Sequence, residues 1–231
     1  MDLKKTKVAG LIVFLVIASF TLGTAIASDE KDRRKAEDIV TRAEKTFKDF
    51  GADPDMQWFR DNLKKAKGIL IVPRLGKGGL IFGGYGGSGA LLGHDEKKWE
   101  WTYPAFYTMG AVTFGLQIGG AADEVILVIM SKKGMDALLS TEFKLGGDVS
   151  VAVGPVGKGV AGQTADVLAF ARSKGVFGGL TVEGAVVKIR NGWNQAYYGK
   201  SVRPSDILIS RKVRNPQADS LRRSVMKTAG K

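Results

Sequence analysis

The sequence predicts an α+β domain, an N-terminal helical pair followed by a glycine-rich, mainly antiparallel sheet closing as a sandwich or barrel. Two observations carry that prediction. Apolar residues recur at helical spacing chiefly before residue 67, whereas afterwards alternating and continuous apolar runs of strand length follow one another across short turns. Glycine supplies 31 of 231 residues, about 13% against a usual ~7%, and nine of the eighteen residues from Gly76 to Gly93 are glycine.

Taken in order, residues 1–27 read as a secretory signal peptide. Lys4, Lys5 and Lys7 form a basic start, Val8 to Leu22 an uncharged apolar stretch, and Ala25-Ile26-Ala27 a small-x-small site that predicts cleavage before Ser28. The alternative is an uncleaved anchor helix. Either reading puts the rest of the chain outside the cytoplasm. Residues 29–50 carry Ala36, Ile39, Val40, Ala43, Phe47 and Phe50 on one stripe of an amphipathic helix. Asp53-Pro54 then reads as an N-cap and first helical position, with Met56, Phe59, Leu63 and Ala66 turned inward.

Strands follow. Ile69–Val72 is expected to end at Pro73, and the glycine-rich stretch Leu80–Leu92 at the polar turn His94–Lys98. Trp99, Trp101 and Tyr103 alternate with Glu100 and Thr102 and predict a strand with an aromatic face. Its rings are expected to lie across the glycine strand, since glycine within a strand marks close approach or bending. Further strands are expected at Val112–Ile118, Val125–Met130 (buried on both faces), Val149–Val153, Asp166–Arg172, Val176–Ile189 and, as an edge, Asp206–Ser210. Short helical pieces are expected at Gly134–Leu139, Asn194–Tyr198 and from Pro216 onward, the last with Ala218, Leu221 and Val225 on one side.

Catalytic motifs are thin. Gly84-Tyr85-Gly86-Gly87-Ser88-Gly89 matches G-x-G-x-x-G, but no helix can open after Gly89, and no Asp or Glu lies between Trp101 and Ala122 to take a ribose. Ser88 lies in G-G-S-G-A, which departs from the G-x-S-x-G nucleophile turn at its last residue. His94 is the one histidine, in a polar turn, and cysteine is absent, which excludes disulfides and thiolate sites. No catalytic residue, metal or cofactor is predicted, and the chain is not expected to be an enzyme.

Charge is placed unevenly. Net charge is +12, and residues 1–27 contribute only three Lys against one Asp. From Lys200 onward nine basic residues face two acidic ones, leaving the body of the chain close to neutral. Arg211, Lys212, Arg214, Arg222, Arg223 and Lys227 read as mostly unpaired, with Asp219 the single carboxylate beyond Ser210. A basic, weakly amphipathic helix of this kind suits an anionic lipid surface. Arg33, Arg34 and Lys35 form a second candidate, offset by Asp29, Glu30, Asp32, Glu37 and Asp38. Nucleic acid is not an expected partner, because export removes the chain from it.

Eight segments in order resemble the SYLF domain family from about Ala36 to Leu208. They are AKGILIVP from Ala66, the glycine run of Lys77–Gly89, WTYPAF from Trp101, FGLQIG from Phe114, KLG from Lys144, GPVG from Gly154, SKGVFGG from Ser173 and YYG from Tyr197. Gly83, Gly84, Gly86, Trp101, Pro104, Gly154, Gly157, Gly175, Phe177, Tyr198 and Gly199 stand at motif positions and are expected to serve the fold. Phe170 departs from a common tyrosine. The chain is identified as a secreted bacterial member. The resemblance implies a non-enzymatic module that binds membrane lipids, with actin-binding relatives among eukaryotic members. The expected organisation is a signal peptide at 1–27, a lipid-binding domain at 28–210 and a basic tail or helix at 211–231. The expected setting is periplasmic or extracellular and membrane-associated, with anionic phospholipid as partner and a protein partner as the alternative.

Overall fold

The computed structural model describes residues 3–78, 82–114, 123–157, 164–173, 175–177 and 182–230, with side chains described from Ser28 onward. Helix α1 runs Leu3–Ala52 as one helix of 50 residues, passing through the Ala25–Ala27 site. Among the described residues no helix is long and apolar enough to cross a membrane. The stripe expected on α1 is inside: Ala36, Val40, Ala43, Phe47 and Phe50 are buried, at alternating spacings of four and three that keep one face inward. Asp53 caps the turn that follows, its carboxylate accepting from Asp55 N at 3.0 Å. The second helical segment combines 3₁₀ turns at Pro54–Met56 and Leu63–Lys65 with α2, Gln57–Asn62. Met56, Phe59, Leu63 and Ala66 are buried, and Phe59 meets Phe47 and Phe170 with ring centroids 5.8 and 5.5 Å away.

The sheet is built from β1 (Gly68–Gly78), β2 (Phe82–Asp95), β3 (Glu100–Trp101), β4 (Ala105–Phe114), β5 (Asp123–Ile129), β6 (Glu142–Lys144), β7 (Val151–Val153), β8 (Val167–Ser173), β9 (Val176–Phe177) and β10 (Val186–Ile189). Its path is β6-β10-β4-β2-β1-β5-β8-β7, with β3 paired to β2 and β9 to β8. Every pairing is antiparallel except β7 with β8. The sheet curls into a half-barrel. Two cores result. Ile69, Ile71, Ile126 and Val128 face the helices, while Leu70, Val72, Val125 and Leu127 face a second cluster. That second cluster receives Phe143 and Val187 from one end of the path and Val167 and Ala169 from the other, as a curled sheet requires. Burial on both faces explains why β1 and β5 read as continuous apolar runs rather than alternating ones.

Four helices remain: α3 (Lys132–Leu138), α4 (Asn191–Tyr198), α5 (Pro204–Leu208) and α6 (Asp219–Thr228). Helices α4 and α6 pack along α1, and Ala218, Leu221 and Val225 join the same core as Phe47 and Phe59. The C-terminal apolar stripe is therefore occupied by the fold.

Several expectations are corrected. Pro73 does not end β1; the strand continues through a register shift between Ile71 and Leu75, where the missing proline N–H is tolerated. Residues 206–210 form no edge strand, because Pro204 opens a helix and Asp206 accepts from Arg203 N at 3.2 Å. The apolar run from Val176 divides into β9, which pairs with β8, and β10, which pairs with β4 and β6 on the other side of the path. The Val112 strand starts earlier, at Ala105, and residues 115–118 of the expected strand lie outside the described residues. The aromatic strand shrinks to Glu100–Trp101 and pairs with His94–Asp95, beyond the glycines. What crowds the glycines is β1. A Cβ on Gly89 would come 2.5 Å from the Ile71 carbonyl oxygen, and one on Gly87 would collide with that of Arg74, on either side of the shifted register.

Candidate functional site

The nine cations singled out by the sequence fall into two places. Arg33, Arg34 and Lys35 sit on α1, each with an acid one turn away: Arg33 to Glu30 at 2.7 Å, Arg34 to Glu30 at 3.9 Å and Lys35 to Asp32 at 3.4 Å. All three are exposed, so these pairs contribute little energy and leave little net field. Arg33 also lines a cavity of about 270 Å³ with Asp29, Glu30, Gln195, Ala196 and Gly199, a rim whose other charges are negative.

The C-terminal cations are arranged differently. The chain leaves α5 at Leu208, meets the end of β2 through Arg211 and Asp95, and enters α6 through a 3₁₀ turn at Pro216–Ala218, capped by Asn215 accepting from Gln217 N at 3.1 Å. This path brings Arg211, Lys212, Arg214 and Arg222 to one cavity of about 300 Å³, together with Glu100, Trp101, Thr102, Tyr103, Ile207 and Val213. Arg223 and Lys227 do not reach it; they stand on α6 and make no ion pair among the described residues.

The expectation that these cations are mostly unpaired is corrected. Arg211 pairs with Asp95, Lys212 with Asp206 at 3.0 Å, and Arg214 and Arg222 with Asp219, each at 3.6 Å. Two of these acids come from outside the tail, and Asp95 lies more than a hundred residues upstream, beyond the reach of a local count. Arg222 is the most constrained. Its Nε donates to the Trp101 carbonyl at 2.8 Å, and its guanidinium carbon lies 4.1 Å from the Tyr103 ring centroid. Tyr103 Oη donates to Asp219 at 2.6 Å. That bond is the main reason the Asp219 carboxyl is held below the usual range, while burial, then Asp219, pushes the Tyr103 hydroxyl up. The Arg211 guanidinium is the main reason Asp95 is held low.

The arrangement can hold an anionic group against an aromatic wall. Among the described residues no three or more His, Asp or Glu converge as a metal site. His94 stacks on Trp101, ring centroids 4.7 Å apart, with Nδ1 2.9 Å from the Ala66 carbonyl. Ser88 lies on β2, 3.4 Å from Arg190 Nη1. Neither is paired with a second catalytic type of group.

The motif glycines and aromatics are spread through the fold. Gly83, Gly84 and Gly86 pair across β2 with Thr113, Val112 and Gly110. Gly154 N donates to Ala169 O at 2.8 Å, and Gly157 N to Asp55 O at 2.8 Å. Gly175 lies in the β8–β9 turn, and Phe177 meets Phe50 edge-on at 5.0 Å. Tyr198 Oη donates to the Pro104 carbonyl at 2.6 Å, and Gly199 ends α4 at φ 66°, a left-handed cap that favours glycine. Trp101 connects this set to the cavity as lining, and Pro104 and Tyr198 do so through the Tyr198–Pro104 bond at the end of the 101–104 segment.

A family model described as "Las17-binding protein actin regulator", Ysc84, matches residues 110–228. The chain belongs to the Ysc84 family. The matched segment of this Ysc84 domain includes α6 and the four cavity cations. LAS seventeen-binding protein 3 of Saccharomyces cerevisiae is 32% identical over 200 residues, 82% of this chain and 42% of that protein. Protein YSC84 of the same yeast is 30% identical over 204 residues, 84% of this chain and 42% of its own. The human SH3 domain-containing YSC84-like protein 1 is 29% identical over 165 residues, 69% and 48%. The chain thus spans less than half the length of the curated relatives it matches.

Two features escaped the sequence reading. One is the pairing of Asp95, Asp206 and Asp219 with the cavity cations. The other is Arg172, which binds Glu124 at 2.5 Å and Asp49 at 3.4 Å and lies 4.9 Å from the Phe50 ring centroid, tying α1 to the sheet. Arg203-Pro204 with Asp206 was a readable helix start. Nothing local marked Arg172.

Proposed function

We propose that this chain is an exported, non-enzymatic module that associates with anionic phospholipid membranes, with the cavity between the 100–103 segment and residues 207–222 receiving the anionic headgroup. The observation that carries the reading is the convergence of Arg211, Lys212, Arg214 and Arg222 on one aromatic-walled cavity. Lys212 and Arg214 are exposed and stand at its rim, so a phosphate can exchange for their carboxylate partners without unfolding anything. Insertion of the C-terminal helix is not the mode, since Leu221 and Val225 are committed to the core. The basic start, apolar stretch and Ala25-Ile26-Ala27 site support export to a periplasmic or extracellular setting.

The protein is expected to co-sediment with phosphatidylglycerol vesicles and to be released by salt, because exposed charges are screened within about 10 Å at 0.1 M. Lys212→Glu with Arg214→Glu is expected to weaken binding about tenfold or more. Wild-type protein that ignores such vesicles at low salt sinks the reading. N-terminal sequencing of the exported protein tests cleavage before Ser28.

A second reading has its own support. The family description and the yeast relatives' names specify a protein partner, Las17. A protein-binding module is expected to retain an envelope protein through a salt wash that strips lipid, and that outcome favours this reading.

A further inference from the structure

Among the described residues only two non-glycine residues have positive φ, Trp99 at 53° and Arg211 at 52°. For a bulky side chain that conformation is an outlier, held only where the surroundings over-determine it, and such strain gathers at functional sites. These two residues lie in loops joined by one carboxylate. Asp95 accepts from Lys97 N at 3.0 Å and Lys98 N at 3.3 Å, shaping the 96–99 turn, and pairs with Arg211 in the loop after α5. The loops are also seated together at their bases, where a Cβ on Gly93 would meet the Leu208 carbonyl at 3.5 Å.

On either side of this staple stand two of the exposed large apolar side chains, Trp99 at 49% and Ile209 at 55% exposure. In the same two loops Lys97, Lys98 and Lys212 are exposed. The local carboxylates are largely engaged: Asp95 by Arg211, Asp206 by Lys212, and Glu96 by Lys67 at 2.6 Å. Glu100 is the remaining one. Trp99 does not collapse onto the core; its ring is edge-on to His94 at 5.7 Å, and His94 lies between it and buried Trp101.

We infer that the 96–99 turn and residues 209–212 form the face that docks on an anionic phospholipid bilayer, with Trp99 and Ile209 entering the headgroup region and the surrounding lysines neutralising lipid phosphates. This rests on the lipid reading above and adds the orientation of the protein on the membrane. An indole and an aliphatic side chain in loops that also expose three lysines match the chemistry of that interface, polar and negative outside, apolar just beneath. The strained turn has a purpose in this arrangement: it keeps the indole presented outward, where a relaxed turn would let it fold back. The cavity lined by Arg211 and Lys212 opens beside the same loops, so headgroup binding and docking share one orientation.

The test uses the full chain on phosphatidylglycerol–phosphatidylcholine vesicles, with phosphatidylcholine alone as the neutral arm. Acyl chains brominated near the headgroup report indole depth. Trp101 and Trp193 are buried and Trp58 is half-buried, so the quenching lost in Trp99→Phe belongs to Trp99. Quenching of Trp99 on the anionic vesicles is expected. Trp99→Asn with Ile209→Asn is expected to weaken binding to them about tenfold, with asparagine chosen at 99 because it tolerates positive φ. Val176→Asn, which alters a still more exposed apolar residue on β9, at 70% exposure, is expected to leave binding unchanged. Thermal melts of each variant separate lost docking from lost folding. Vesicle binding without Trp99 quenching, or equal loss from Val176→Asn, overturns this face and leaves the lipid reading standing. Binding that ignores lipid charge and leaves Trp99 unquenched overturns it too, and assigns the interaction to the apolar N-terminal stretch. No binding to either vesicle removes both proposals.

Discussion

Residues 33–35 and residues 211–222 look alike in the sequence, two basic stretches beside or within helices, yet only the second is also held by distant parts of the chain. On α1 each cation meets an acid one turn away on an exposed helix surface. Around α6 the acids come from three places, Asp95 on β2, Asp206 on α5 and Asp219 itself, and each pairs with a cation that lines one cavity. Local pairing cancels charge where it arises. Arg222 also meets its acid one turn away, but contacts from distant segments, Trp101 O and the Tyr103 ring on Arg222 and Asp95 on Arg211, fix where these cations point, and so can build a site. This contrast teaches that a cation count along the chain says little until the origin of the counter-charge is known.

The sharpest way to break the contrast is to remove the helix that closes the second region. Deleting residues 216–231 strips Ala218, Leu221 and Val225 from the core. With about 1.5–3 kcal/mol for each large aliphatic side chain, the loss is expected to be at least ~4 kcal/mol, read as a fall in the urea midpoint. An unchanged midpoint would show that α6 is a separable tail. Next is Arg222→Ala, which removes the bond to Trp101 O, the contact with Tyr103 and the pair with Asp219. About 2 kcal/mol of destabilisation is expected from a charged hydrogen bond and a partly desolvated cation–π contact, measured by the same denaturation.

The pH dependence sharpens the comparison further. Asp219 and Asp95 have carboxyl groups held below their ordinary value of 3.8, by Tyr103 and Arg211 respectively. A lowered folded value means their contribution is present above the unfolded value and fades as pH falls through the lower folded one. The stability difference between wild type and Asp219→Asn is therefore expected to narrow steadily below about pH 4, followed by melting temperature. A difference that stays constant to pH 2 would rule out that linkage. The smallest effect belongs to α1. Arg34→Ala touches an exposed pair at 3.9 Å and is expected to shift stability by no more than about 0.5 kcal/mol.

The helical pair was readable in detail because its information is local. The spacing Ala36, Val40, Ala43, Phe47 and the Asp53-Pro54 start each need only a few neighbouring residues. The double burial of Val125–Ile129 was readable for the same reason. The glycine run was legible as sheet and misread in its cause, since the shifted strand that crowds Gly87 and Gly89 lies across the sheet and announces itself only as Pro73. Residues 206–210 were misread because Ile207, Leu208 and Ile209 outweighed the Pro204 and Asp206 signals. The cavity was half legible: its cations could be named, but their contacts with Asp95, Asp206 and Tyr103 could not.

By itself the sequence determined the class of fold, the inward faces of the helices, the absence of thiol chemistry and the excess of positive charge at one end. Periodicity, composition and capping act over a few residues, so one chain segment contains them. Tertiary structure alone decided that β9 and β10 separate across the sheet, that α6 belongs to the core, and that Asp95 reaches Arg211. Those outcomes depend on which distant segments a curled sheet brings together, and the 94–99 turn, the 209–212 loop and the cavity beside them exist only once it has closed.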